Sequence, residues 1–406
     1  MKRIVLLVYT FVCCLSTFAV DYGIEKQITI KSAILDRDEV IYIAIPQVYY
    51  DENYANLKYN VMYVFDSQSP GLFDMVKTMQ FFAGGDYVRN SIIVGITHPY
   101  IKERNWGRNN DLLPLPNHCK KEEFYGGCCG GAENLKLFLT KELIPYIDKN
   151  YRTTKHRIAI GHSLSASFIL DCMLTCDPFD DYIAVSPNFA YDQDRLAEDF
   201  IHFDFSRFDK NKYVYISNAN EEKEKGWEVW KPAREKVYNF LATSSLPDNL
   251  KFIVDSFPTK GHWECFPSAI YNGEAGLFKY MNNPTVSKQA YPLTIRIIVP
   301  DSVKTLYITG NQDCLGNWDP HALKMKKVNS TTFEVKIQAY SPAQFKFTSG
   351  SWDPEVVVED CMDATGRKSG AAPIREDVLY QCDGSIVIDS RHTSHCEFKL
   401  KEWATY

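Results

Sequence analysis

The feature that most constrains the fold is a regular alternation between residues 27 and 281, where short β-branched runs are separated by segments with helical spacing. Residues 61–65, 92–96 and 157–160 are examples of the β-branched runs. Between residues 135 and 147 the apolar side chains recur at i, i+3 and i+4, which is typical of a helix packed on one face. Strands that alternate with helices form a mostly parallel sheet covered on both faces. This part of the chain is therefore predicted to belong to the α/β class.

The alternation stops near residue 282, and the polar stretch that follows is predicted to be a linker at residues 283–290. Beyond the linker, β-branched and aromatic runs follow one another without helical segments, which predicts a small all-β domain over residues 291–390. In this interpretation residues 20–282 form the first domain and residues 391–406 form a C-terminal tail. A chain of 406 residues is long enough for two such domains.

The first residues of the chain have the pattern of a secretory signal. A basic start is followed by a short apolar run with small residues before a cleavage point near Ala19, so residues 1–19 are predicted to be removed on export. A secreted or periplasmic location follows, and acylation at Cys13 or Cys14 is a less favoured alternative. No later segment has about 18 uninterrupted apolar residues, so a membrane span is not expected.

The composition excludes some partners. The net charge is −6 with both signs interspersed, so the chain lacks the basic stripe that a phosphate backbone requires, and nucleic acid is not an expected partner. Ten cysteines remain after the signal, an even number that makes disulfides plausible in an exported protein. Cys119, Cys128 and Cys129 lie in a glycine-rich loop without a ligand pair at zinc-site spacing, which favours disulfides or thiols over a metal site.

The residues with the clearest chemical meaning form a candidate nucleophile elbow at residues 161–165, with the sequence Gly-His-Ser-Leu-Ser. The elbow follows a predicted strand and precedes an apolar helix. A sharp turn in that context exposes the Ser163 hydroxyl and points the helix N-terminus at a developing oxyanion. The usual pattern is G-x-S-x-G, and Ser165 takes the place of its last glycine. The alternative is that Ser163 only caps the helix.

Two further residue types follow in the order that this kind of site requires, which is serine, then acid, then histidine. Glu221 and Glu222 lie just past one predicted strand, and His262 lies past the next. The sequence therefore predicts a triad of Ser163, His262 and one of the two carboxylates, Glu221 or Glu222. A solvated helix-start acid and a surface-loop histidine are the structural alternatives. His162 is set aside because its side chain is expected to face away from the serine hydroxyl.

Five stretches carry a resemblance to a known family: residues 58–66, 107–114 and 143–152, the elbow, and the loop around His262. Together they span most of residues 25–280, which resemble the putative-esterase family of α/β-hydrolases. That family includes siderophore, feruloyl and acetyl-xylan esterases. The resemblance implies an α/β-hydrolase fold and a serine mechanism without a metal or other cofactor. It also implies Ser163 as nucleophile, His262 as general base and Glu221 as the acid of the triad, with Glu222 as the alternative acid.

The resemblance also implies the backbone donors of an oxyanion hole. One is the N–H of Leu164, and the other comes from the loop after the strand at residues 61–65, at Ser67 or Gln68. In the stretch at residues 107–114, Arg108 and Asp111 are interpreted as an ion pair that anchors a long loop. The alternative is that this pair shapes the mouth of an acyl pocket.

The second domain resembles a family 20 starch-binding module through residues 306–320, 345–347 and 350–355. The match covers roughly residues 292–390 and implies an immunoglobulin-like sandwich. It also implies that Trp318 and Trp352 form an exposed platform, because the apolar face of a pyranose stacks on an aromatic plane. The alternative is that both tryptophans belong to the core of the domain.

These observations predict an exported serine esterase that acts on an acylated carbohydrate and binds α-glucan through its second domain. Tethering would raise the concentration of the catalytic domain on a polysaccharide. The fold alone does not define the acyl group. Two alternatives remain open: a glycan-binding protein whose hydrolase domain is inactive, and a siderophore or thioester hydrolase.

Overall fold

The computed structural model describes residues 24–50, 58–84, 91–99, 107–282, 286–358, 380–382 and 385–404. The predicted signal at residues 1–19 lies outside these ranges. Within them, no helix combines the length and the apolar character needed to cross a membrane.

The first domain is built on a sheet that has eight strands among the described residues, in the order β1-β2-β4-β3-β5-β6-β7-β8. The strands from β3 to β8 are parallel, whereas β1 and β2 form an antiparallel hairpin at one edge. The predicted mostly parallel sheet is confirmed. The strands are β1 Ile24–Ser32, β2 Arg37–Ile45, β3 Tyr59–Val64, β4 Ser91–Ile96, β5 Thr153–His162, β6 Asp181–Val185, β7 Lys212–Asn218 and β8 Leu250–Ser256.

Helices cover both faces of this sheet. Along β3, Val61 and Tyr63 face one core while Met62 and Val64 face another, as the alternation of side chains in a strand requires. Helices α1 and α8 cover the face of Met62, and α3, α5, α6 and α7 cover the face of Val61. The helices are α1 Pro70–Gly84, α2 Gly107–Leu112, α3 Ala132–Phe138, α4 Ile144–Asn150, α5 Leu164–Thr175, α6 Tyr191–His202, α7 Trp230–Thr243 and α8 Phe266–Asn282.

The second domain is all-β among the described residues, and its core is formed by aliphatic and phenylalanine side chains such as Ile295, Phe345 and Phe398. Its main sheet has the order β11-β10-β14-β15-β18-β9-β13-β12, with β17 pairing β14 and β16. The immunoglobulin-like sandwich stays a prediction. The strands are β9 Ala290–Ile298, β10 Tyr307–Gly310, β11 Leu323–Lys324, β12 Lys326–Lys327, β13 Thr332–Tyr340, β14 Ala343–Thr348, β15 Glu355–Val358, β16 Tyr380–Cys382, β17 Ser385–Ile388 and β18 His395–Ala404.

Strand β18 corrects the predicted boundary of this domain. Residues 391–406 were expected to form a tail, but β18 lies inside the sheet, parallel to β9 and antiparallel to β15. Cys396, Phe398 and Leu400 alternate with exposed residues and enter the core. The domain therefore extends to Ala404, and removing β18 would leave β9 and β15 as open edges.

The cysteines whose side chains the structure describes are thiols and form no disulfide with one another. The predicted disulfides are therefore absent from this set, and Cys361 and Cys382 lie outside it. The loop cysteines Cys119 and Cys128 are half-buried and Cys129 is buried. The set consists of Cys119, Cys128, Cys129, Cys172, Cys176, Cys265, Cys314 and Cys396.

Candidate active site

The elbow lies at the junction of β5 and α5. Ser163 follows the last residue of β5 and has φ 63° and ψ −124°, a backbone conformation that a residue with a Cβ rarely adopts. Its N–H donates to the Val185 carbonyl at 2.9 Å, which fixes the turn to the neighbouring strand. A Cβ on Gly161 would lie 2.6 Å from the Ser165 backbone, so the turn requires glycine there. The strained residue is the predicted nucleophile.

The carboxyl ends of β5, β7 and β8 meet at one edge of the sheet, and this brings the predicted acid and base together. His262 Nδ1 lies 3.7 Å from Glu221 Oε1, and both side chains are buried. Glu222 is half-buried, and its Oε1 accepts from Arg234 Nη2 at 3.1 Å. Of the two candidate acids, it is thus Glu221 that faces the histidine.

Glu221 is held in its ionised form. It accepts hydrogen bonds from the Ala219 N–H and from Arg234 Nη1, each at 2.9 Å. Burial would raise the pKa of this carboxyl, but the facing His262 imidazole and the Ala219 N–H outweigh burial, and the pKa lies below its usual value. A buried carboxylate beside an imidazole can fix the tautomer of that ring.

The imidazole of His262 is surrounded by tryptophans. Trp227 and Trp230 stack on each other with centroids 4.6 Å apart, and both meet His262 edge-on, at 4.8 and 5.5 Å. Neither ring nitrogen of His262 makes a hydrogen bond with another described residue. One nitrogen faces Glu221, so the other remains open for a hydrogen bond.

His162 is a residue that the sequence reasoning missed. Its Nε2–H donates to the His262 carbonyl at 2.9 Å, and the two rings lie 4.4 Å apart. Burial, helped by the nearby His262, lowers the pKa of His162 to about 3, so the ring is neutral. Its side chain therefore helps to position the loop that carries His262. Nothing local could have indicated this contact, because its partners are 100 residues apart.

The predicted oxyanion donors differ in whether their N–H groups are already hydrogen-bonded. The Ser67 N–H donates to the Ile96 carbonyl at 2.9 Å, which excludes it as a free donor and corrects that prediction. The N–H groups of Leu164 and Gln68 make no hydrogen bond with any described residue. Leu164 begins α5, so the helix dipole adds to its N–H.

Arg108 and Asp111 do not pair with each other, which corrects both interpretations of that stretch. Arg108 forms a bidentate pair with Asp66, through Nε to Oδ1 and through Nη2 to Oδ2 at 2.7 Å. Asp111 instead accepts from Arg37 Nη2 at 2.6 Å and lies 3.3 Å from His98 Nδ1. Helix α2 is therefore anchored at two separate points.

In the second domain, the loops that carry Trp318 and Trp352 are neighbours. Thr348 Oγ1 donates to the Pro320 carbonyl at 2.6 Å, which joins the end of β14 to the turn after Trp318. Trp352 is 40% exposed, and Trp318 is half-buried with φ 63°. The structure thus places both predicted platform residues near one end of the domain.

The fold and the arrangement at the sheet edge define the first domain as an α/β-hydrolase-like domain. Residues 32–233 match the family model described as putative esterase. This match makes residues 32–233 similar to the esterase family that the sequence was found to resemble. A curated relative, ferri-bacillibactin esterase BesA of Bacillus subtilis, is 35% identical over 119 residues, which are 28% of this chain and 41% of that protein. The match thus spans about two fifths of the relative's length.

Solved structures show the same fold. An IroE-like serine hydrolase from Shewanella oneidensis aligns with a TM-score of 0.52 and 22% identity, over 64% of this chain and 81% of that chain. The siderophore hydrolase EstB from Aspergillus nidulans aligns with a TM-score of 0.54 and 16% identity, over 66% of this chain and 98% of that chain. At these identities the similarity establishes the α/β-hydrolase-like fold of the first domain.

Proposed function

We propose that this chain hydrolyses carboxylic esters through a covalent acyl-enzyme, with Ser163 as nucleophile, His262 as general base and Glu221 as the acid of the triad. The observation that carries the proposal is the buried His262–Glu221 pair at the sheet edge where the strained Ser163 turn lies. Strain at a single residue beside a polar pair is typical of a catalytic turn.

The chemistry follows from these groups. The open nitrogen of His262 takes the Ser163 hydroxyl proton as Oγ attacks the ester carbonyl. The negative charge that develops on the carbonyl oxygen is stabilised by the N–H groups of Leu164 and Gln68. Collapse breaks the bond to the alcohol, which leaves with the proton from His262, and water then releases the acid by the same steps. Ionised Glu221 stabilises the imidazolium formed in each half-reaction.

The proposed substrate class is an acyl ester on a carbohydrate, and a siderophore ester is the second candidate. The name of the curated relative favours the second, and the tryptophans of the β-domain favour the first. Hydrolysis of p-nitrophenyl acetate tests the ester chemistry, and its absence would favour a glycan-binding protein with an inactive hydrolase domain. Comparing kcat/KM on acetylated and feruloylated glycans with that on a ferric siderophore ester separates the two substrate classes. The proposed location is outside the cytoplasm, and N-terminal sequencing of the mature protein tests it.

We also propose that the β-domain binds α-glucan through Trp318 and Trp352. Two observations support this proposal: the two loops are neighbours, and Trp352 is exposed. Contact of the apolar indole surface with water is unfavourable unless a partner covers it. The Lys346 ammonium lies 5.9 Å from the Trp352 ring centroid, which helps to fix the orientation of that ring.

Replacing either tryptophan with alanine should weaken binding of maltoheptaose by the full-length protein by about tenfold or more, because each indole supplies a stacking face. Isothermal titration measures this loss, and activity on a small soluble ester should not change. Tyr340→Ala is a matched control, since this aromatic residue of the same domain is 43% exposed and lies on β13. Equal binding by all variants would indicate that the tryptophans have a structural role, and a preference for xylo-oligosaccharides would point to plant cell-wall esters.

A further inference from the structure

Ser165 takes the place of the last glycine in the elbow pattern, and its hydroxyl is fully engaged. The hydroxyl accepts the His162 N–H at 2.9 Å and lies 2.7 Å from Asp66 Oδ2 and 2.9 Å from the His162 carbonyl. Its single proton goes to the carboxylate, because a charged acceptor makes the stronger hydrogen bond. The side chain is completely buried. A glycine here would leave the elbow without its side-chain hydrogen bond to Asp66.

The partner of this hydroxyl, Asp66, opens the loop after β3. Its carboxylate also binds the Arg108 guanidinium, and Arg108 Nη2 lies 3.3 Å from the His162 carbonyl. Four donor atoms thus converge on one buried carboxylate: Arg108 Nε and Nη2, Gln68 Nε2 and Ser165 Oγ. Arg108 holds the pKa of Asp66 well below its usual value despite burial, so the acceptor is permanently charged.

The same loop carries the second candidate oxyanion donor. The Gln68 side chain is held at both ends, with Nε2 donating to Asp66 Oδ1 at 3.1 Å and Oε1 accepting the His98 N–H at 3.1 Å. The donor N–H of Gln68 is therefore two residues from the carboxylate that Ser165 binds. The first donor, the Leu164 N–H, is one residue from Ser165 on the elbow.

We propose that Ser165 is a positioning residue that ties the elbow to the Asp66 loop and thereby fixes the distance between the two oxyanion donors. This role rests on the proposed ester hydrolysis at Ser163. The two donors belong to segments about 100 residues apart in the sequence. An oxyanion hole works only when both N–H groups reach the same oxygen, and a misplacement of about 1 Å can lower the rate by about a hundredfold. The Ser165–Asp66 hydrogen bond is a direct link between these segments beyond the ends of β3 and β5.

The test is the pair Ser165→Ala and Ser165→Gly, assayed with p-nitrophenyl acetate and with phenylboronic acid. Both variants should lose kcat by about tenfold to hundredfold while KM stays within about twofold, because the transition state alone needs both donors. Phenylboronic acid should bind more weakly by a similar factor, since Ser163 Oγ adds to boron and one boronate oxygen then occupies the oxyanion hole. Ser165→Gly restores the common elbow residue and provides a second variant should the alanine protein fail to fold.

Ser167→Ala is the matched control, because this buried hydroxyl lies two residues on in the same helix and bonds to the Asn188 backbone and, at 3.3 Å, to the Ser163 carbonyl, but not to Asp66. It should lower the melting temperature to a similar extent with little change in kcat. If the wild type is active and both Ser165 variants keep its kcat and boronate affinity, the proposed role of Ser165 is overturned. The proposed ester hydrolysis is not affected by that result. A wild type that neither hydrolyses the ester nor binds the boronate would overturn the proposed function and this role with it.

Discussion

Replacing Ser163 with alanine should reduce kcat/KM for p-nitrophenyl acetate by about 10³-fold or more, because alanine lacks the hydroxyl on which the proposed acyl-enzyme forms. The melting temperature should not change, since alanine adopts the strained backbone at this position no more easily than serine does. Steady-state kinetics and covalent labelling with a fluorophosphonate probe measure the loss, and only the wild type should be labelled.

A second substitution at the same position separates strain from chemistry. Ser163→Gly should be as inactive as the alanine variant but more stable by about 1 kcal/mol, because glycine reaches φ 63° without a Cβ clash. Denaturant unfolding compares the two proteins. An alanine variant with wild-type turnover would assign the nucleophile elsewhere and remove the basis of the proposed mechanism.

Parts of the fold were predictable because they depend on local pattern. Strands β3, β4 and β6 are buried along their full length, and most of each is an apolar run that the sequence displays directly. Edge strand β1 was missed, because Glu25, Lys26 and Gln27 give its start the polarity of a loop. Strand β18 differs, because its apolar residues alternate with charged ones in the period-2 pattern of a half-buried strand, and the prediction of a tail was wrong there.

The candidate site divides in the same way. The elbow pattern indicated Ser163 and chain order indicated His262, because the carboxyl ends of parallel strands converge and each loop contributes one residue. The residue pattern could not choose between Glu221 and Glu222. The two residues are adjacent in a short loop, and which side chain faces His262 depends on the conformation of the folded loop. The N–H of Ser67 donates to the Ile96 carbonyl because of the register of the sheet. This is a long-range pairing that the local sequence does not indicate.

Arg108 shows how a sequence pattern can indicate an anchor but not its partner. The stretch at residues 107–114 contains an arginine and an aspartate three residues apart, which is compatible with a local ion pair on a helix. Arg108 instead pairs with the buried Asp66 in the loop after β3, and Asp111 pairs with the half-buried Arg37 on β2. A buried charge needs an oppositely charged partner to offset its loss of hydration. Tertiary packing, and not local sequence, determines which residue that partner is.

The choice between the two carboxylates gives the other large expected effect. Glu221→Gln should lower kcat for p-nitrophenyl acetate by about 10²- to 10⁴-fold, because the amide can no longer stabilise the imidazolium and can donate to the wrong histidine tautomer. Glu222→Gln should keep kcat within about twofold, since its carboxylate is directed to Arg234 and not to His262. Steady-state kinetics at neutral pH on the two purified variants measures both effects.

The two variants are matched because Arg234 binds both carboxylates, through Nη1 to Glu221 and through Nη2 to Glu222. Each substitution therefore removes one charged partner from the same guanidinium, and the melting temperatures show how much of any change is structural. A large loss of kcat at Glu221 alone, with both proteins folded, would assign the triad acid to the residue 3.7 Å from His262 Nδ1. The reverse ranking would require the loop after β7 to place Glu222 instead of Glu221 beside His262 in the active protein. A crystal structure with a bound boronate would show whether it does.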